Sequence, residues 1–287
     1  MKKFAVIDIG SNSVRLMFVA DGKILYKRLQ TTRLGEGIAD KLVLKQTAID
    51  RTAEAVCTFF RIAKQEGAEE VFAFATAAVR SAENGNEFVE KVKMLCGLEI
   101  EVVSGQLEAE LGISGALGNA DGATIDIGGA STEIVVRANG SFAYRKSVDI
   151  GVVRLKDLCG ADREMLQKKA NDFAQQFMDA PQIKNLYAIG GTATTIAALT
   201  LGLKTYDSEK VTGTEISKRG IGELAMRLRE TPVEEIEKLP CMSTGRADVI
   251  AGGATLLFSI LERLQIEKII VSDRDNLEGY AIKRGLL

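Results

Sequence analysis

The chain has 287 residues, of which 46% are hydrophobic and 26% charged, a composition typical of a soluble globular protein with ample core. Its formal net charge of −2 gives no global field that would attract a polyanion, so nucleic acid polymers are not expected as partners. The chain contains no histidine, which excludes Ser-His-Asp and Cys-His catalysis. A carboxylate is therefore the expected general base, with Lys, Tyr or Cys as less favoured alternatives.

The four cysteines, Cys57, Cys96, Cys159 and Cys241, lie far apart and form no C-x-x-C pair. This pattern is typical of reduced, mostly buried thiols and argues against a zinc site. The N-terminus enters directly into a strand that carries Asp8, so it lacks the apolar region of a signal peptide. No apolar run approaches the ~18 to 20 residues of a membrane span. We therefore expect a cytoplasmic protein without membrane association.

The chain opens with a hairpin at 4–20, which reads F-A-V-I-D-I-G-S-N-S-V-R-L-M-F-V-A. The apolar runs predict two strands, with Asp8 near the end of the first. The turn between them contains Gly10, Ser11, Asn12 and Ser13. Successive N–H groups in a glycine turn can bind phosphate oxygens. Such a turn is also a routine structural device, so this hairpin alone is weak support for a phosphate site.

Alternating strands and helices follow, at 23–30, 46–66, 71–75, 85–95, 99–103 and 106–118. Arg80 comes just after the strand at 71–75, where open α/β sheets bind their ligands. Ser104 is a suitable N-cap for the helix at 106–118, with Glu108 in its first turn. An acidic residue there is an ordinary partner of the helix dipole, so Glu108 gains weight only from its neighbours.

A second hairpin at 124–136 reads T-I-D-I-G-G-A-S-T-E-I-V-V. Its turn offers a second phosphate cradle, formed by Gly128, Gly129, Ser131 and Thr132. Asp126 and Glu133 have no place in an ordinary hairpin core. Carboxylates beside a phosphate cradle predict a Mg²⁺ site, with Asp8, Asp126 and Glu133 as its ligands.

V-I-D-I-G-S and T-I-D-I-G-G are nearly superimposable and stand about half the chain apart. This repeat predicts a duplicated α/β fold with one hairpin in each lobe, facing each other across a cleft that grips phosphate from both sides. We place the N-terminal lobe at 1–118 and the C-terminal lobe at 119–287.

The second half continues with a strand at 143–150, a helix at 161–178, helices at 220–229 and 246–265, a strand at 268–272 and a terminal helix or tail at 279–287. Between the helices at 161–178 and 220–229, a strand at 186–189 leads into Gly190, Gly191 and Thr192 at the start of a helix. This pattern offers free N–H groups to an anion. A glycine pair also allows close packing of helix on strand. Arg246 stands at the start of the helix at 246–265.

Seven segments together resemble the exopolyphosphatase/guanosine pentaphosphate phosphohydrolase family, within the superfamily of actin, sugar kinases and heat-shock chaperone ATPases. They are V-I-D-I-G-S-N-S-V-R-L (6–16), A-T-A-A-V-R (75–80), S-G-Q-L-E-A-E (104–110), I-D-I-G-G-A-S-T-E (125–133), A-I-G-G-T-A-T-T (188–195), R-A-D-V-I-A-G-G (246–253) and V-S-D (271–273). The first segment would fit any superfamily member. The combination of S-G-x-x-E-A with D-I-G-G-x-S-T-E is much more restrictive.

The resemblance implies two ribonuclease-H-like lobes and Mg²⁺-dependent hydrolysis of terminal phosphoryl groups from inorganic polyphosphate or guanosine pentaphosphate. It implies that Glu108 is the base for the attacking water, and that Asp126 and Glu133 organise metal and water. It also implies that Arg80 and Arg246 contact the charge of the substrate. An oriented nucleophile and cations on the phosphoryl oxygens are what phosphoryl transfer requires.

Three features depart from the family pattern. Ala130 stands where a third glycine is usual, and Asp275 stands where an Arg-Gly pair is common. The chain ends at Leu287 without the C-terminal helical domain of longer members, so processivity on long polymers is in doubt and a homodimer is left open. Two alternatives stay open: an ATP-using kinase of the same superfamily, and a sensor that binds guanosine tetra- or pentaphosphate without turnover.

Overall fold

The computed structural model describes residues 2–38, 41–243 and 245–287, which form two α/β lobes. The first lobe has a sheet of five strands in the order β3-β2-β1-β4-β5. These strands are β1 (Lys3–Ile9), β2 (Ser13–Ala20), β3 (Lys23–Thr31), β4 (Glu70–Ala75) and β5 (Glu101–Val102). Its helices are α1 (Gln46–Gln65), α2 (Ala77–Ser81) and α3 (Gly85–Cys96). The apolar stripe of α1 packs on this sheet and forms the core of the lobe.

The second lobe has a sheet of six strands in the order β10-β11-β9-β6-β7-β8. These strands are β6 (Gly122–Ile127), β7 (Thr132–Ala138), β8 (Ser141–Val148), β9 (Leu186–Ile189), β10 (Glu215–Ser217) and β11 (Lys268–Val271). Its helices are α5 (Val152–Cys159), α6 (Arg163–Ala174), α7 (Gly190–Thr200), α8 (Ser208–Val211), α9 (Lys218–Glu230), α10 (Val233–Ile236) and α11 (Ala247–Arg263), and a 3₁₀ turn covers Gln175–Phe177.

The order of strands repeats between the lobes. In each sheet an antiparallel meander of three strands is followed by parallel strands, so that β8-β7-β6-β9-β11 corresponds to β3-β2-β1-β4-β5. This is the order of the ribonuclease-H-like fold. The predicted fold class, α/β with two lobes of this type, is confirmed.

Two helices cross between the lobes. Helix α4 (Gly105–Leu117) packs on β6, β7 and β8 of the second sheet, whereas α12 (Asn276–Lys283) packs on β1 of the first. The ring of Tyr280 stacks on Phe74 with their centroids 4.7 Å apart. The division of the chain at 118 stays a prediction, because the last helix of each proposed half contacts the sheet of the other half.

The main differences from the predicted elements are short helices. Helix α5 lies between the predicted strand at 143–150 and the predicted helix at 161–178, and α12 begins at Asn276 rather than near 279. Asp275 explains the earlier start, because it forms a capping box with Glu278. No helix in the described part of the chain has the length and apolar character needed to cross a bilayer.

Candidate active site

A cleft of about 1150 Å³ opens between the two lobes. The predicted site residues that line it are Asp8, Gly10, Ser11, Asn12, Ser13, Glu108, Asp126, Gly128, Gly129, Ser131, Gly190, Gly191, Thr192 and Arg246. The structure therefore brings most of the predicted residues into one site. Arg80, Thr132 and Glu133 lie behind its surface.

The two hairpin turns at the base of the cleft have the same internal geometry. The N–H of Gly10 donates to the carbonyl of Ser13 at 3.0 Å, and the N–H of Gly128 donates to the carbonyl of Ser131 at 3.0 Å. The sequence repeat is thus a repeat in structure, with one turn from each lobe.

The turns meet across the cleft at Gly129. A Cβ atom on Gly129 would lie 2.7 Å from the Cβ of Ser11 and 3.1 Å from the amide nitrogen of Asn12. On the far side of the second turn, the N–H groups of Val152 and Val153 at the start of α5 donate to the carbonyls of Gly128 and Gly129, at 2.9 and 2.8 Å. These bonds satisfy carbonyl groups that would repel an anion, and they fix the turn on the end of α5.

Asp8 of the first hairpin is part of a buried charge network. Strand register places it opposite Arg15, whose Nε donates to Asp8 Oδ2 at 3.0 Å. The same guanidinium also pairs with Asp275. Burial raises the pKa of Asp8, although Arg15 opposes the shift. Asp8 Oδ1 is buried without a hydrogen-bond partner among the described residues. This oxygen is available to a cation or a donor.

In the second hairpin the corresponding pair consists of two acids. Asp126 lies directly opposite Glu133 in the register of β6 and β7, an arrangement that destabilises a sheet. Burial and neighbouring carboxylates raise the pKa of both groups well above its ordinary value. Glu133 Oε1 accepts a hydrogen bond from Ser147 Oγ at 2.6 Å. Such a pair is expected where a positive charge is to be bound.

Glu108 is held at the edge of the cleft by the start of α4. Ser104 caps this helix by accepting from the N–H of Leu107 at 3.1 Å, as predicted. Glu108 is only 8% exposed, and its Oε2 accepts from Arg80 Nη1 at 2.7 Å. Burial raises the pKa of Glu108, with Arg80 acting in the opposite direction. Arg80 also donates to the carbonyl of Val103 at 3.1 Å, so it orients Glu108 from behind. Its predicted contact with the substrate stays a prediction.

The glycine pair after β9 makes room for two charged side chains. Gly190 has a φ of +75°, and a Cβ there would lie 2.4 Å from Asp126 Oδ1. A Cβ on Gly191 would lie 2.0 Å from Arg246 Nη2. The N-cap of α7, Ile189, makes no side-chain capping hydrogen bond, so the first N–H groups of the helix are open to another acceptor. The binding of an anion there stays a prediction.

Arg246 is the cation best placed to meet an anion. Burial and the neighbouring charge of Arg15 lower its pKa to about 10. Within the described ranges no carboxylate lies at ion-pair distance from it. Binding an anion would relieve the cost of burying this charge.

Two of the hydroxyls that were predicted to bind phosphate form hydrogen bonds with the protein backbone instead. Thr132 Oγ1 donates to the carbonyl of Ile150 at 2.6 Å, and Thr192 Oγ1 donates to the carbonyl of Ile127 at 2.7 Å. Their protons are therefore already donated to the backbone. Among the turn hydroxyls, Ser11, Ser13 and Ser131 line the cleft.

A magnesium ion fits this donor set only together with a phosphate ligand. In the described part of the chain, no three acidic side chains converge as a preformed metal cage. Mg²⁺ is commonly held by one or two carboxylates while phosphate oxygens and water complete its shell. The orphaned oxygen of Asp8 and the carboxylate of Asp126, which both line the cleft, supply donors of that kind, whereas Glu133 lies behind Asp126 and its role as a ligand stays a prediction.

A second network, which sequence reasoning missed, joins the lobes beside the cleft. Lys27 of β3 pairs with Glu278 at 2.6 Å and with Asp273 at 3.2 Å. Tyr206 also donates to Asp273. Arg15 could have been recognised from the hairpin register, which pairs it with Asp8. The contacts with residues after 270 carry no local signal, because they join segments far apart in the chain.

The two substitutions in the family pattern fit the fold. Ala130 is fully buried and its φ is not positive, so a third glycine is not required there. Asp275 has an extended φ of −152°, caps α12 and binds Arg15. Both positions accept a side chain.

Known proteins resemble the chain over nearly its whole length. It is 30% identical over 308 residues to the bifunctional 3-dehydroquinate synthase/phosphatase of Fusobacterium nucleatum, covering 97% of this chain and 46% of that protein. Exopolyphosphatase 2 of Mycobacterium tuberculosis is 29% identical, with 98% of both chains covered. The guanosine-5'-triphosphate,3'-diphosphate pyrophosphatase of Vibrio cholerae is 28% identical, with 99% of this chain and 58% of that protein covered. The chain thus spans about half the length of two of these three relatives.

A solved structure gives the same result. The Aquifex aeolicus member of the Ppx/GppA family is 30% identical, with a TM-score of 0.80 over 99% of this chain and 98% of that chain. The model of the Ppx/GppA phosphatase family matches residues 4–284. The resemblance inferred from the motifs is confirmed. The prediction of a hydrolase is also confirmed, because the family is a phosphatase family. The chain belongs to the Ppx/GppA phosphatase family.

Proposed function

We propose that the protein is a Mg²⁺-dependent phosphohydrolase that releases orthophosphate from the ends of inorganic polyphosphate. The observation that carries this proposal is the meeting of two equivalent turns beside a buried, arginine-held glutamate. The turns approach closely at Gly129 and Ser11, and Glu108 lines the same cleft while it pairs with Arg80, so the phosphate donors and the candidate base face one site. The match to exopolyphosphatase 2 over 98% of both chains supports the same substrate.

The residues of the chain can perform each part of the reaction. The N–H groups of the two turns and of α7 bind the terminal phosphoryl oxygens, and Arg246 neutralises their charge. Glu108 accepts a proton from a water molecule while the oxygen of that water bonds to the terminal phosphorus. The bond between this phosphorus and the bridging oxygen of the leaving phosphate breaks on the opposite side. Mg²⁺ held by Asp8 and Asp126 would supply further positive charge to the phosphoryl oxygens, and the carboxylate of Glu133 behind them would favour the positive ion.

A second substrate is guanosine pentaphosphate. The outer wall of the cleft carries apolar side chains from β3, where Leu25 is 58% exposed and Leu29 is 44% exposed. Tyr206 lines the same cleft. Apolar and aromatic side chains in the same cleft as the turns suit a nucleoside better than a phosphate chain. The pyrophosphatase of Vibrio cholerae supports this second activity, although the chain spans only 58% of that protein.

The test is orthophosphate release by the purified protein from long-chain polyphosphate, short-chain polyphosphate and guanosine pentaphosphate, with ATP as control. Each reaction is run with Mg²⁺ and with a chelator. We expect metal-dependent release from polyphosphate and no release from ATP. Binding of the guanosine nucleotide without any release would favour the sensor, and turnover of ATP with an acceptor would favour the kinase.

A further inference from the structure

A small cavity of about 10 Å³ lies beside the cleft and shares Glu108, Asp126 and Asn276 with it. Three carboxylates line it, those of Glu108, Asp126 and Glu133, together with the side chains of Thr124 and Asn276. The rest of its wall is apolar. A cavity of roughly this size, about one probe sphere, holds a single water molecule.

Asn276 has a buried side-chain oxygen that indicates a bound molecule in the cavity. It is 5% exposed, and its Oδ1 has no hydrogen-bond partner among the residues that the structure describes. Its side chain borders both the cavity and the cleft. A buried polar atom of this kind requires a partner, and a water molecule is the usual one.

Close packing of two helices sets Asn276 beside the candidate base. A Cβ on Gly115 of α4 or on Gly279 of α12 would lie 1.8 or 1.9 Å from a carbonyl oxygen of the facing segment, so the backbones touch. A Cβ on Gly112 would lie 3.0 Å from Asn276 Oδ1. Gly112 stands one helical turn after Glu108, so the carboxamide faces the same side of α4 as that carboxylate.

The size of the cavity favours water over a cation. Mg²⁺ demands near-octahedral coordination and sheds its own water reluctantly, so a space for one water molecule leaves no room for its shell. A water molecule, in contrast, can donate to Asn276 Oδ1 and to a carboxylate while it accepts from the hydroxyl of Thr124.

We propose that Asn276 binds one water molecule in this cavity and, through it, fixes the carboxylate of Glu108 in the orientation needed to accept a proton. Asn276 is then a positioning residue that acts on Glu108 from the start of α12, whereas Arg80 contacts Glu108 from α2. The kinetic consequence rests on the proposed phosphohydrolase function, whereas the water site itself does not.

The first arm of the test is a high-resolution crystal structure of the full chain and of Asn276→Leu, with a Mn²⁺ soak. We expect a water peak within about 3.2 Å of Asn276 Oδ1, and no such peak in the variant. A dry cavity in the natural protein, or an anomalous Mn²⁺ signal inside it, would overturn the proposal whether or not the enzyme is active.

The second arm is kinetic, with inorganic polyphosphate as the probe. Asn276→Leu should lower kcat about tenfold, the worth of one hydrogen bond to a charged group, and leave KM within about twofold. Its Tm should not fall, because the change removes a buried polar atom. Tyr280→Phe is the matched control on the same helix, since its hydroxyl donates to Glu101 Oε2 at 2.7 Å, away from the cavity. It should lower Tm and leave kcat unchanged. An unchanged kcat in folded Asn276→Leu would contradict the positioning role.

Discussion

The role of Glu108 can be tested by a change that removes its basicity and little else. Gln in place of Glu108 keeps an oxygen for the hydrogen bond from Arg80, which spans 2.7 Å, but it carries no charge and cannot accept the proton. A positioned general base contributes about 10² to 10⁴ in rate, or about 3 to 5 kcal/mol of transition-state stabilisation. We therefore expect Glu108→Gln to lower kcat for orthophosphate release by at least about a hundredfold. KM should change by no more than a few fold, because no contact with the phosphate is removed.

The assay is steady-state release of orthophosphate from polyphosphate at saturating Mg²⁺, with Tm measured in parallel. Glu110→Gln is the matched control, because Glu110 lies in the same helix and pairs with Arg145 outside the cleft. It should retain full turnover. A kcat in Glu108→Gln above about a tenth of the natural value would refute the assignment of the base.

Three further predictions concern the substrate contacts and the pH profile. Arg246→Ala should raise KM for polyphosphate about tenfold or more, since a charge-assisted contact is lost, and an unchanged KM would place this side chain outside the binding site. Gly129→Ala should lower kcat/KM at least about tenfold, because the new Cβ would lie 2.7 Å from Ser11 Cβ in the facing turn. Gly252→Ala is the control and should leave kcat/KM unchanged, because its Cβ would meet no atom closer than 3.8 Å. Burial raises the pKa of Glu108, so turnover should fall as the pH drops through a value above the ordinary 4.5. Arg80 lowers that pKa, so Arg80→Gln should move this fall in turnover to higher pH. An unchanged pH profile would contradict the pairing of Arg80 with Glu108.

The parts of the site that could be predicted are those with local sequence signals. The repeated Asp-Ile-Gly turns identified both hairpins, because a turn of this kind depends on residues that are adjacent in the chain. The N-cap at Ser104 placed Glu108 correctly at a helix start for the same reason. Membership of the family followed from the combination of these motifs, which no single one of them would have supported.

The parts that could not be predicted depend on packing between distant segments. Arg15 and Asp275 are 260 residues apart, and the packing of α12 on the first sheet brings them together. Asn276 carries no local signal at all, since its importance lies in a cavity formed by both helices and the second sheet. Arg80 was correctly placed after β4, but its pairing with Glu108 required the position of α4.

The central claim is that water, activated in this cleft, attacks the terminal phosphorus of the substrate. The most direct measurement is a single-turnover reaction of the natural protein with polyphosphate and Mg²⁺ in ¹⁸O-labelled water, with mass analysis of the released orthophosphate. Direct attack by water should place one solvent oxygen in each orthophosphate released and none in the carboxylates of the protein. Label in Glu108 with unlabelled orthophosphate would show a covalent phosphoryl-enzyme, and the absence of any orthophosphate would contradict the proposed activity.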